Sequence, residues 1–392
     1  MRILFVHNFY KHAGGEDQVF WAEIDLMKNH GHDVHSYTVD NDNINSLWTK
    51  INTALHLSYS TKSKKDFSIT LKKINPDIVH CHNFFPRLTP SIFDACLDEN
   101  IPAILTLHNY RLVCPSVYLS KNNKPWELSI QKNPYWTIPY KVYQNSFIGT
   151  AAIAYMINFH KKRKTWQQKL DQIIILTKFA KNKFIESGFS PNNMVVKPNF
   201  ISDPLIENKT RGEFALFIGR LSQEKGIEFL LESWKEIDFP LKIVGDGPMI
   251  GNVKLQVDNV EYLGKLPNKS VRDLLQKAQF LVFPSQWYEG FPMVLVEAMA
   301  CGTPALVTNI GSMQEIITDE LNGLHFELGN KKQFVEKVHQ LMNDESLCQF
   351  LGDNGRRAYL ENYTPDVNYQ QLISIYKDSI SNYGHSTYPK IK

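Results

Sequence analysis

The feature that most constrains this chain is a regular alternation of short apolar runs with helix-like segments. In the first half these runs are rich in Ile, Val and Leu and are bounded by Gly, Pro or Asn. Runs of four to six such residues predict strands buried on both faces, which is typical of parallel sheets. The first-half strands are predicted at residues 3–7, 34–38, 78–81, 103–108, 173–177 and 194–197.

A helix is predicted between the first two strands, over residues 18–29, because apolar side chains recur there at helical spacing. Gly31 follows as a C-terminal cap, since glycine readily adopts the left-handed conformation that ends helices. Together with the strands on either side, this segment forms a βα unit. Its buried side is predicted to carry Val19, Trp21 or Ala22, Leu26 and Met27.

The alternation stops at the polar run 202–211 and then restarts, which predicts a second α/β domain. Its strands are expected at residues 214–218, 241–244, 260–264, 280–284 and 305–308, and helices at 226–236, 270–278 and 292–299. Two doubly wound Rossmann-like domains separated by a deep cleft are therefore predicted, with ligands beyond the carboxyl ends of the strands. The predicted domains are 1–200 and 201–365, followed by a helical segment, 366–392, that caps the second domain or crosses back to the first.

Charge and cysteine content exclude several classes of protein. The net charge of the 392 residues is only +3, which lacks the broad basic field of a dedicated nucleic-acid binder. The five cysteines are scattered without CxxC spacing, so neither a disulfide framework nor a zinc site is predicted. No apolar run has the length of a signal-peptide core or a transmembrane helix. A cytoplasmic protein is therefore expected, with peripheral attachment to the membrane as the further possibility.

The most informative stretch for chemistry is 289–304, EGFPMVLVEAMACGTP. Glu289 and Glu297 span a turn and the first two turns of the helix after it, so both carboxylates can approach a ligand at that helix start. Free backbone N–H groups and the helix dipole favour phosphate at the same place. This element therefore offers acceptors for hydroxyl groups together with an anion site.

Three other strands are followed by candidate ligand-binding residues. Arg220 and Lys225 follow the strand at 214–218 and provide the cationic donors that a diphosphate requires. The Gly14-Gly15-Glu16 turn allows close backbone approach at a helix start. His108, with Arg111 nearby, lies at the end of the fourth strand. Taken singly, each is compatible with a turn, a solvated face or a core histidine; together, each directly after a strand, they indicate a ligand site.

The sequence resembles retaining GT-B fold glycosyltransferases of family 4 over most of its length. The glutamate pair followed by AMACGTP is the most specific part of the resemblance, and the segment 107–115, LHNYRLVCP, further resembles bacterial members that build capsule, exopolysaccharide or lipopolysaccharide. The other segments that carry it are Gly14-Gly15, His108, Gly219-Arg220-Leu221, Glu224-Lys225-Gly226, 244–248, Pro284-Ser285 and the stretch 289–304.

The resemblance implies a role for each matching residue. Arg220 and Lys225 would bind the donor diphosphate, joined by backbone N–H groups of Gly15, Val294 and Leu295. Glu297 would bind the nucleotide ribose, and Leu266 would line the base pocket. His108 would contact the donor sugar and help to place the acceptor. The donor-sugar hydroxyls would be held by Glu289 and the backbone of Gly290, Phe291, Pro292 and Met293.

The reaction that the resemblance implies is retaining transfer from a nucleotide sugar, UDP- or GDP-linked, to a saccharide or lipid-linked acceptor. No metal and no other cofactor is expected. The departing phosphate itself takes the acceptor's proton, so no enzyme nucleophile is required. Two alternatives remain: another GT-B enzyme, such as a nucleotide-sugar epimerase or a phosphorylase, and a noncatalytic scaffold that binds sugar nucleotides. No nucleic-acid partner is expected.

Three further signals remain open at the level of sequence. Asp40-Asn41-Asp42 matches a metal-binding Asp-x-Asp pattern but lies in loop-like surroundings. His80 and His82 lie on one face of a strand end; a structural role is favoured for them, with contact to the acceptor next and metal binding last. Acceptor contact is also considered for Glu16 and Arg111.

The third signal is a basic run that follows an apolar stretch. Such a run suits an anionic membrane surface at the inner leaflet, and it equally suits a solvated helix face. Both interpretations are retained. The run comprises Lys161, Lys162, Arg163 and Lys164.

Overall fold

The computed structural model describes residues 1–10, 14–41, 56–122, 124–204, 206, 211–254 and 258–383. The chain divides into two compact units. The first comprises Met1–Leu119, Glu127–Pro198 and Asn368–Lys392, and the second comprises Ser120–Trp126 and Asn199–Val367.

The first unit is built on a six-stranded sheet whose neighbouring strands are all parallel, in the order β2-β1-β3-β4-β7-β8. Its strands are β1 (Arg2–Phe9), β2 (Asp33–Asp40), β3 (Ile78–Asn83) and β4 (Ala103–Leu107), then β7 (Gln172–Ile175) and β8 (Met194–Val196). The antiparallel pair β5 (Ser120–Lys121) and β6 (Lys124–Pro125) falls between β4 and β7 in sequence but belongs to the second unit. The helices are α1 (Gly15–Asn29), α2 (Thr61–Ile74), α3 (Ser91–Asp98), α4 (Leu128–Gln131), α5 (Phe147–Lys162), α6 (Thr165–Gln168) and α7 (Lys178–Glu186), with 3-10 helices at Pro134–Tyr140 and Pro191–Asn193.

The second unit repeats this plan with a parallel sheet in the order β11-β10-β9-β12-β13-β14. Its strands are β9 (Ala215–Ile218), β10 (Leu241–Val244), β11 (Val260–Gly264), β12 (Phe280–Phe283), β13 (Ala305–Thr308) and β14 (Gly323–Phe326). Its helices are α8 (Ile227–Trp234), α9 (Ile250–Lys254), α10 (Asn268–Lys277), α11 (Met293–Ala300), α12 (Ser312–Ile316), α13 (Lys331–Asn343) and α14 (Glu345–Asn362), with a 3-10 turn at Gln223–Lys225.

Most of the predicted elements are observed. All eleven apolar runs form strands, and the predicted parallel α/β class is confirmed. Strand β14 was not predicted. The expectation that every strand is buried on both faces is wrong for β2, where exposed residues alternate with half-buried ones. The physical reason is its place at the sheet edge, where it pairs with β1 alone.

Alternation along the strands divides the core of the second unit between the two faces of its sheet. Phe217 and Ile243 pack into one apolar cluster, whereas Leu216 and Val244 pack into the other. This is the pattern expected when helices cover both faces of a parallel sheet.

The last helix, α15 (Pro365–Tyr383), contributes to the core of the first unit. Leu372, Ile375 and Tyr376 pack with apolar side chains of β1 and α1. His80 Nδ1 lies 2.7 Å from the Tyr376 hydroxyl oxygen, and Asn368 Nδ2 donates a hydrogen bond to the carbonyl oxygen of Pro198. Residues distant in sequence thus complete the apolar core of this unit.

The prediction for the buried face of α1 is confirmed at Val19, Leu26 and Met27 and wrong at Trp21. Trp21 is half exposed and stacks on Phe9, whereas Phe20 and Ile24 are fully buried. Glu23 is also fully buried on this face, although a carboxylate has a high desolvation cost. The apolar side chains of Phe20, Ile24 and Met27 pack into the core and turn this face inward, and Glu23 is buried with them.

Glu23 is neutralised by an equally buried lysine. Lys197 Nζ donates to Glu23 Oε1 at 2.8 Å and to Asn368 Oδ1 at 3.2 Å, so the pair joins α1, the end of β8 and α15. Burial by itself raises the pKa of the Glu23 carboxyl, but the nearby Lys197 and His82 hold this pKa well below its usual range. The ion pair therefore stays charged inside the core.

We expect Lys197→Met to lower the free energy of unfolding by about 3–5 kcal/mol, because it leaves the Glu23 carboxylate buried without its cation. Urea unfolding followed by circular dichroism measures the loss. The matched control is the double variant Glu23→Leu with Lys197→Met, which removes both charges and should regain most of the stability. A single variant as stable as the parent would contradict this assignment.

Candidate functional site

In the second unit, the loops after the neighbouring strands β9 and β12 bring two predicted site residues together. Lys225 Nζ donates to Glu289 Oε1 at 2.7 Å, and both side chains are largely buried. The two residues are 64 positions apart in sequence. A cation and a carboxylate are therefore held side by side at the carboxyl end of this sheet, where open α/β sheets bind ligands.

Glu289 is held firmly in this position. Ser285 Oγ donates to its Oε1 at 2.6 Å, and Ser312 Oγ donates to its backbone carbonyl oxygen at 2.8 Å. With Lys225 and Ser285 both bound to Oε1, the second carboxylate oxygen, Oε2, is left to bind hydroxyl groups. The side chain therefore has a fixed orientation before any ligand binds.

The loop after β9 can lie this close to β12 because of a glycine. Gly226 has a φ of 77°, and a Cβ at this position would lie 2.0 Å from the carbonyl oxygen of Pro284. The backbone N–H of Gln286 also donates to the carbonyl oxygen of Glu224 at 2.8 Å. Glycine is therefore required at position 226 for two reasons: its positive φ disfavours other residues, and a side chain would clash with the backbone of Pro284.

Arg220 is placed differently from Lys225. It also follows β9, but its side chain is exposed, and it forms no hydrogen bond or ion pair with another side chain of the described residues. An unpaired guanidinium at the carboxyl end of a parallel sheet is available for an anionic ligand. The structure therefore does not bring Arg220 into the contact that joins Lys225 and Glu289.

Helix α11 begins directly after Pro292, as the sequence predicted. The N–H groups of its first turn lack intrahelical acceptors, which is the usual basis of anion binding. Leu295 N–H, however, donates to the carbonyl oxygen of Pro292 at 3.0 Å. In this structure, the first turn thus offers Met293 and Val294 rather than Leu295 to a ligand.

The remaining predicted residues of this unit lie around the same loops. Glu297 lies in the second turn of α11, where burial raises its pKa and Arg272 opposes that rise. Gly290 is half buried, and the half-buried Phe291 packs beside Tyr363. Leu266 follows β11 and is half buried against the apolar core.

In the first unit, the predicted residues likewise lie at the carboxyl ends of the strands. Gly14 caps α1, which begins at Gly15, and Arg111 follows β4. The Arg111 guanidinium donates to the Tyr10 hydroxyl oxygen and lies 4.0 Å from the centre of the Phe85 ring.

Glu16 lies among these groups in the first turn of α1. Burial raises the pKa of its carboxyl to about 7, while the nearby Arg111 opposes the rise. A carboxyl group with this pKa exchanges protons near neutrality. The first unit therefore places a titrating acid and a fixed cation next to each other.

His82 and His108 are brought together at the same edge. His82 Nδ1 lies 3.1 Å from His108 Nε2, and His82 Nε2 lies 3.3 Å from Glu23 Oε2. The contact between His82 and Glu23 lacks hydrogen-bond geometry, whereas His82 Nδ1 and His108 Nε2 are joined by a hydrogen bond. Because Nε2 of His108 is engaged in this way, Nδ1 is the ring nitrogen that His108 can present to a ligand hydroxyl. Burial holds the pKa of His108 well below its usual value, so its ring is neutral.

Whether the cluster of Glu23, His80 and His82 can bind a metal ion depends on which of its donor atoms are already engaged. Glu23, His80 and His82 offer three ligand atoms within 4.8 Å of one another, and Glu23 is the carboxylate that the sequence did not reveal. The Lys197 ammonium group is already bound to Glu23, and both ring nitrogens of His80 are engaged, by Tyr376 and Thr106. The group therefore fits a buried hydrogen-bond network and not a cation.

The other sequence signals lie apart from this network. Asp40 ends β2, the edge strand, and Asp42 lies outside the described residues. The basic run of Lys161, Lys162, Arg163 and Lys164 lies at and just beyond the C-terminal end of α5. All five cysteines fall in the described ranges, where each is buried and none forms a disulfide.

The structure also identifies functional positions that sequence reasoning missed. Glu23 carried a usable signal, because an acidic residue flanked by Phe20, Ile24 and Met27 at helical spacing is unusual on an apolar face. Lys197 directly after a buried strand was a second signal. No pattern in the sequence pointed to Ser312, because its contact with Glu289 depends on how two loops pack.

The fold is that of the GT-B glycosyltransferases. The structure of sucrose-phosphate synthase from Thermosynechococcus elongatus aligns with a TM-score of 0.71 and 18% identity, covering 98% of this chain and 100% of that one. The structure of Anabaena HepE in complex with UDP aligns with a TM-score of 0.68 and 15% identity, covering 95% of this chain and 99% of that one. The predicted fold class is confirmed.

Within this fold, residues 202–358 match the family model described as glycosyl transferases group 1. An uncharacterized glycosyltransferase of Methanocaldococcus jannaschii is 37% identical over 47% of this chain and 54% of its own length. The capsular polysaccharide biosynthesis glycosyltransferase CapM of Staphylococcus aureus is 28% identical over 53% of this chain and 59% of its own length. The matched segments thus span little more than half of these relatives.

The stability of the first unit should fall as the pH drops below about 6.5. Burial lowers the pKa of His7, His80 and His108, and it lowers that of His160 to about 4. These rings stay neutral in the folded protein, whereas the unfolded chain takes up protons below the ordinary histidine pKa. The stabilising contribution is therefore complete above about pH 6.5 and is lost as the pH falls towards the folded-state values.

Urea unfolding at about pH 7.5 and about pH 5.5 tests this expectation. The variant His160→Asn removes one of the titrating rings, so its pH dependence should be shallower than that of the parent. The raised pKa of Glu16 contributes stability in the opposite sense in both proteins, so the comparison isolates His160. The same pH dependence in the parent and in His160→Asn would show that the buried ring of His160 does not resist protonation.

Proposed function

We propose that this protein is a retaining glycosyltransferase that moves a sugar from a nucleotide donor to a saccharide or lipid-linked acceptor. The observation that supports it most directly is the Lys225–Glu289 contact at the carboxyl end of the second sheet, beside the start of α11. It lies within the segment that matches the glycosyl transferases group 1 model.

The donor diphosphate is assigned to Lys225, Arg220 and the first turn of α11. As the bond between the anomeric carbon and the phosphate oxygen breaks, negative charge develops on the departing diphosphate. A lysine and an arginine stabilise this charge without a metal ion, and the fixed Glu289 carboxylate accepts hydrogen bonds from sugar hydroxyls. Glu297 then binds the nucleotide ribose.

The acceptor oxygen attacks the anomeric carbon from the face that the diphosphate leaves. One carbon–oxygen bond breaks and another forms, while the acceptor's proton moves to the departing phosphate oxygen. His108 presents Nδ1 to a sugar hydroxyl, and His82 and Glu23 fix the orientation of its ring. Positioning and charge stabilisation are then sufficient, and no enzyme nucleophile takes part.

The donor is proposed to be a UDP-linked sugar, because the HepE structure is a complex with UDP and shares this fold; a GDP-linked sugar is the alternative. The acceptor is proposed to belong to capsule, exopolysaccharide or lipopolysaccharide synthesis, as the name of CapM indicates for that relative. Glu16 and Arg111 are placed to contact this acceptor. No helix among the described residues has the length and apolar character to cross a membrane, and attachment to the inner membrane face is proposed to be peripheral.

The alternatives are less well supported. A noncatalytic scaffold would not need Lys225 and Ser285 bound to the Glu289 carboxylate and Ser312 bound to the Glu289 backbone. A nucleotide-sugar epimerase of the same fold would invert one carbon of the donor sugar and would not require an acceptor.

A panel of nucleotide sugars tests the proposal, with released nucleoside diphosphate as the readout. We expect a UDP sugar to be turned over, and UDP to raise the melting temperature in proportion to its occupancy of the folded protein. Nuclear magnetic resonance of the product should show the donor's anomeric configuration. Turnover should be the same with EDTA; a requirement for a divalent ion would contradict metal independence and direct attention back to Asp40.

Arg220→Ala and Lys225→Ala should each lower kcat roughly a hundredfold or more, because each removes a cation that stabilises the departing diphosphate. The matched control is Arg357→Ala, which removes an exposed arginine of α14 in the same unit. Arg220 has no side-chain partner among the described residues, so its variant should keep the parent melting temperature. Near-normal turnover of both variants would refute the assigned role.

A further inference from the structure

One stretch of the first unit is depleted of acidic residues. Residues 128–170 contain no aspartate or glutamate and seven lysines and arginines. The whole chain has 40 acidic residues in 392, so a stretch of this length would ordinarily contain about four. The net charge of +3 is therefore an average that hides a strongly cationic segment.

Helix α5, within this stretch, is apolar on its exposed side as well as its buried side. No charged residue occurs between Phe147 and Phe159. Ile153, Ala154 and Met156 are buried in the unit, whereas Ile148 is 71% exposed and Tyr155 is 53% exposed. A helix that is apolar all round is normally enclosed by protein or lipid, so the exposed side lacks its expected cover.

Exposed aromatic residues of the preceding 3-10 helix extend this apolar side. Tyr135, Trp136 and Tyr140 are exposed, and the 3-10 helix packs against α5. Asn158 Nδ2 donates to the Tyr135 hydroxyl oxygen at 3.3 Å, which fixes the two helices together. The aromatic side chains and the apolar side of α5 therefore form one surface. A monomer with these side chains in water leaves an unusually apolar patch uncovered.

Cationic groups lie over the rings of this same surface. Lys132 Nζ lies 4.2 Å from the centre of the Trp136 ring, and Lys141 Nζ lies 4.7 Å from that of Phe147. The Arg163 guanidinium lies 5.2 Å from the centre of the Phe159 ring. Long basic side chains packed along aromatic rings keep their charged ends at the polar edge of an apolar surface.

The positive charge of the surface is not neutralised within the described residues. Lys162, Arg163 and Lys164 are exposed and form no ion pair there, whereas Lys161 donates to the carbonyl oxygen of Ser187. Basic residues at a helix C-terminus complement the helix dipole, which accounts for Lys161 and Lys162. The dipole does not account for the exposed aromatic and aliphatic side chains beside them.

We propose that this basic–aromatic surface, formed by Lys132, Tyr135, Trp136, Tyr140, Lys141, Phe147, Ile148, Tyr155 and residues 161–164, docks on an anionic lipid bilayer. Aromatic and aliphatic side chains enter the boundary between headgroups and acyl chains, and the basic residues bind headgroup phosphates. The exposed Ile148 favours lipid over nucleic acid, because an aliphatic side chain has no role in stacking on bases. The proposal deepens the proposed function by naming the membrane-facing surface of an enzyme whose acceptor is lipid-linked.

Vesicle sedimentation of the full chain tests this surface, using phosphatidylcholine vesicles with and without about one third phosphatidylglycerol. We expect binding to the anionic vesicles and little to the neutral ones. Replacing Lys162, Arg163 and Lys164 by Gln should weaken binding to anionic vesicles on the order of a hundredfold, because each basic residue near the lipid contributes about fivefold. The matched control replaces three exposed lysines elsewhere, Lys28, Lys73 and Lys332, by Gln.

The apolar part of the surface is tested separately at high salt, where the electrostatic contribution is screened. The triple variant Trp136→Ser, Ile148→Ser, Tyr155→Ser should bind roughly tenfold or more weakly than the parent under these conditions. Its matched control is Trp21→Ser, Ile69→Ser, Phe350→Ser, which removes three equally exposed side chains of other helices. Unchanged melting temperatures of the variants show that docking, and not folding, is altered.

Three results would overturn the proposal: no binding to anionic vesicles, patch variants that bind like their controls, or binding to RNA with none to vesicles. Release of nucleoside diphosphate in lipid-free buffer, measured on the same variants, should stay at the parent level. A parent protein that turns over a sugar nucleotide but binds no anionic vesicles refutes the docking surface alone, whereas a parent protein that binds anionic vesicles but turns over no sugar nucleotide refutes the proposed function alone.

Discussion

The parallel direction of the strands is the constraint on which the rest of this structure depends. In each six-stranded sheet every neighbouring pair is parallel, so all carboxyl ends meet at one edge and the helices must cover both faces. Loops from distant parts of the sequence are thereby forced together at that edge. Lys225 and Glu289 meet in the second unit for this reason, and His82 and His108 meet in the first.

The two units solve the problem of polar groups at a buried edge in different ways. In the second unit, Ser285 and Ser312 hold one carboxylate in place and leave part of it free for a ligand. In the first unit, the buried Glu23–Lys197 pair anchors a group of histidines that ends at His108. Both arrangements fix the side chains before a substrate arrives, so less ordering is required when the substrate binds.

The basic–aromatic surface of the first unit is formed by helices and not by the loops at the strand ends. This surface lies on residues 132–164, which comprise the 3-10 helix, α5 and the residues next to them, and none of the strands contributes to it. The buried side chains of α5 pack on the unit, while the polar groups discussed above lie at the strand ends. The outer helices of this fold are therefore not constrained by the groups at the strand ends.

The sequence by itself determined the strands, their parallel direction and most of the predicted site positions, because runs of apolar residues and the residues that follow them are local patterns. The pair Glu289 and Glu297 and the segment Glu224-Lys225-Gly226 could be recognised as candidate site residues for the same reason. Only the tertiary structure decided that Lys225 pairs with Glu289, that Leu295 N–H already has an acceptor, and that Glu23 and not Trp21 faces inward. These outcomes depend on partners tens to hundreds of residues away, such as Lys197 and Tyr376, and the energy of burying a charge is settled by its neighbours in space and not in sequence.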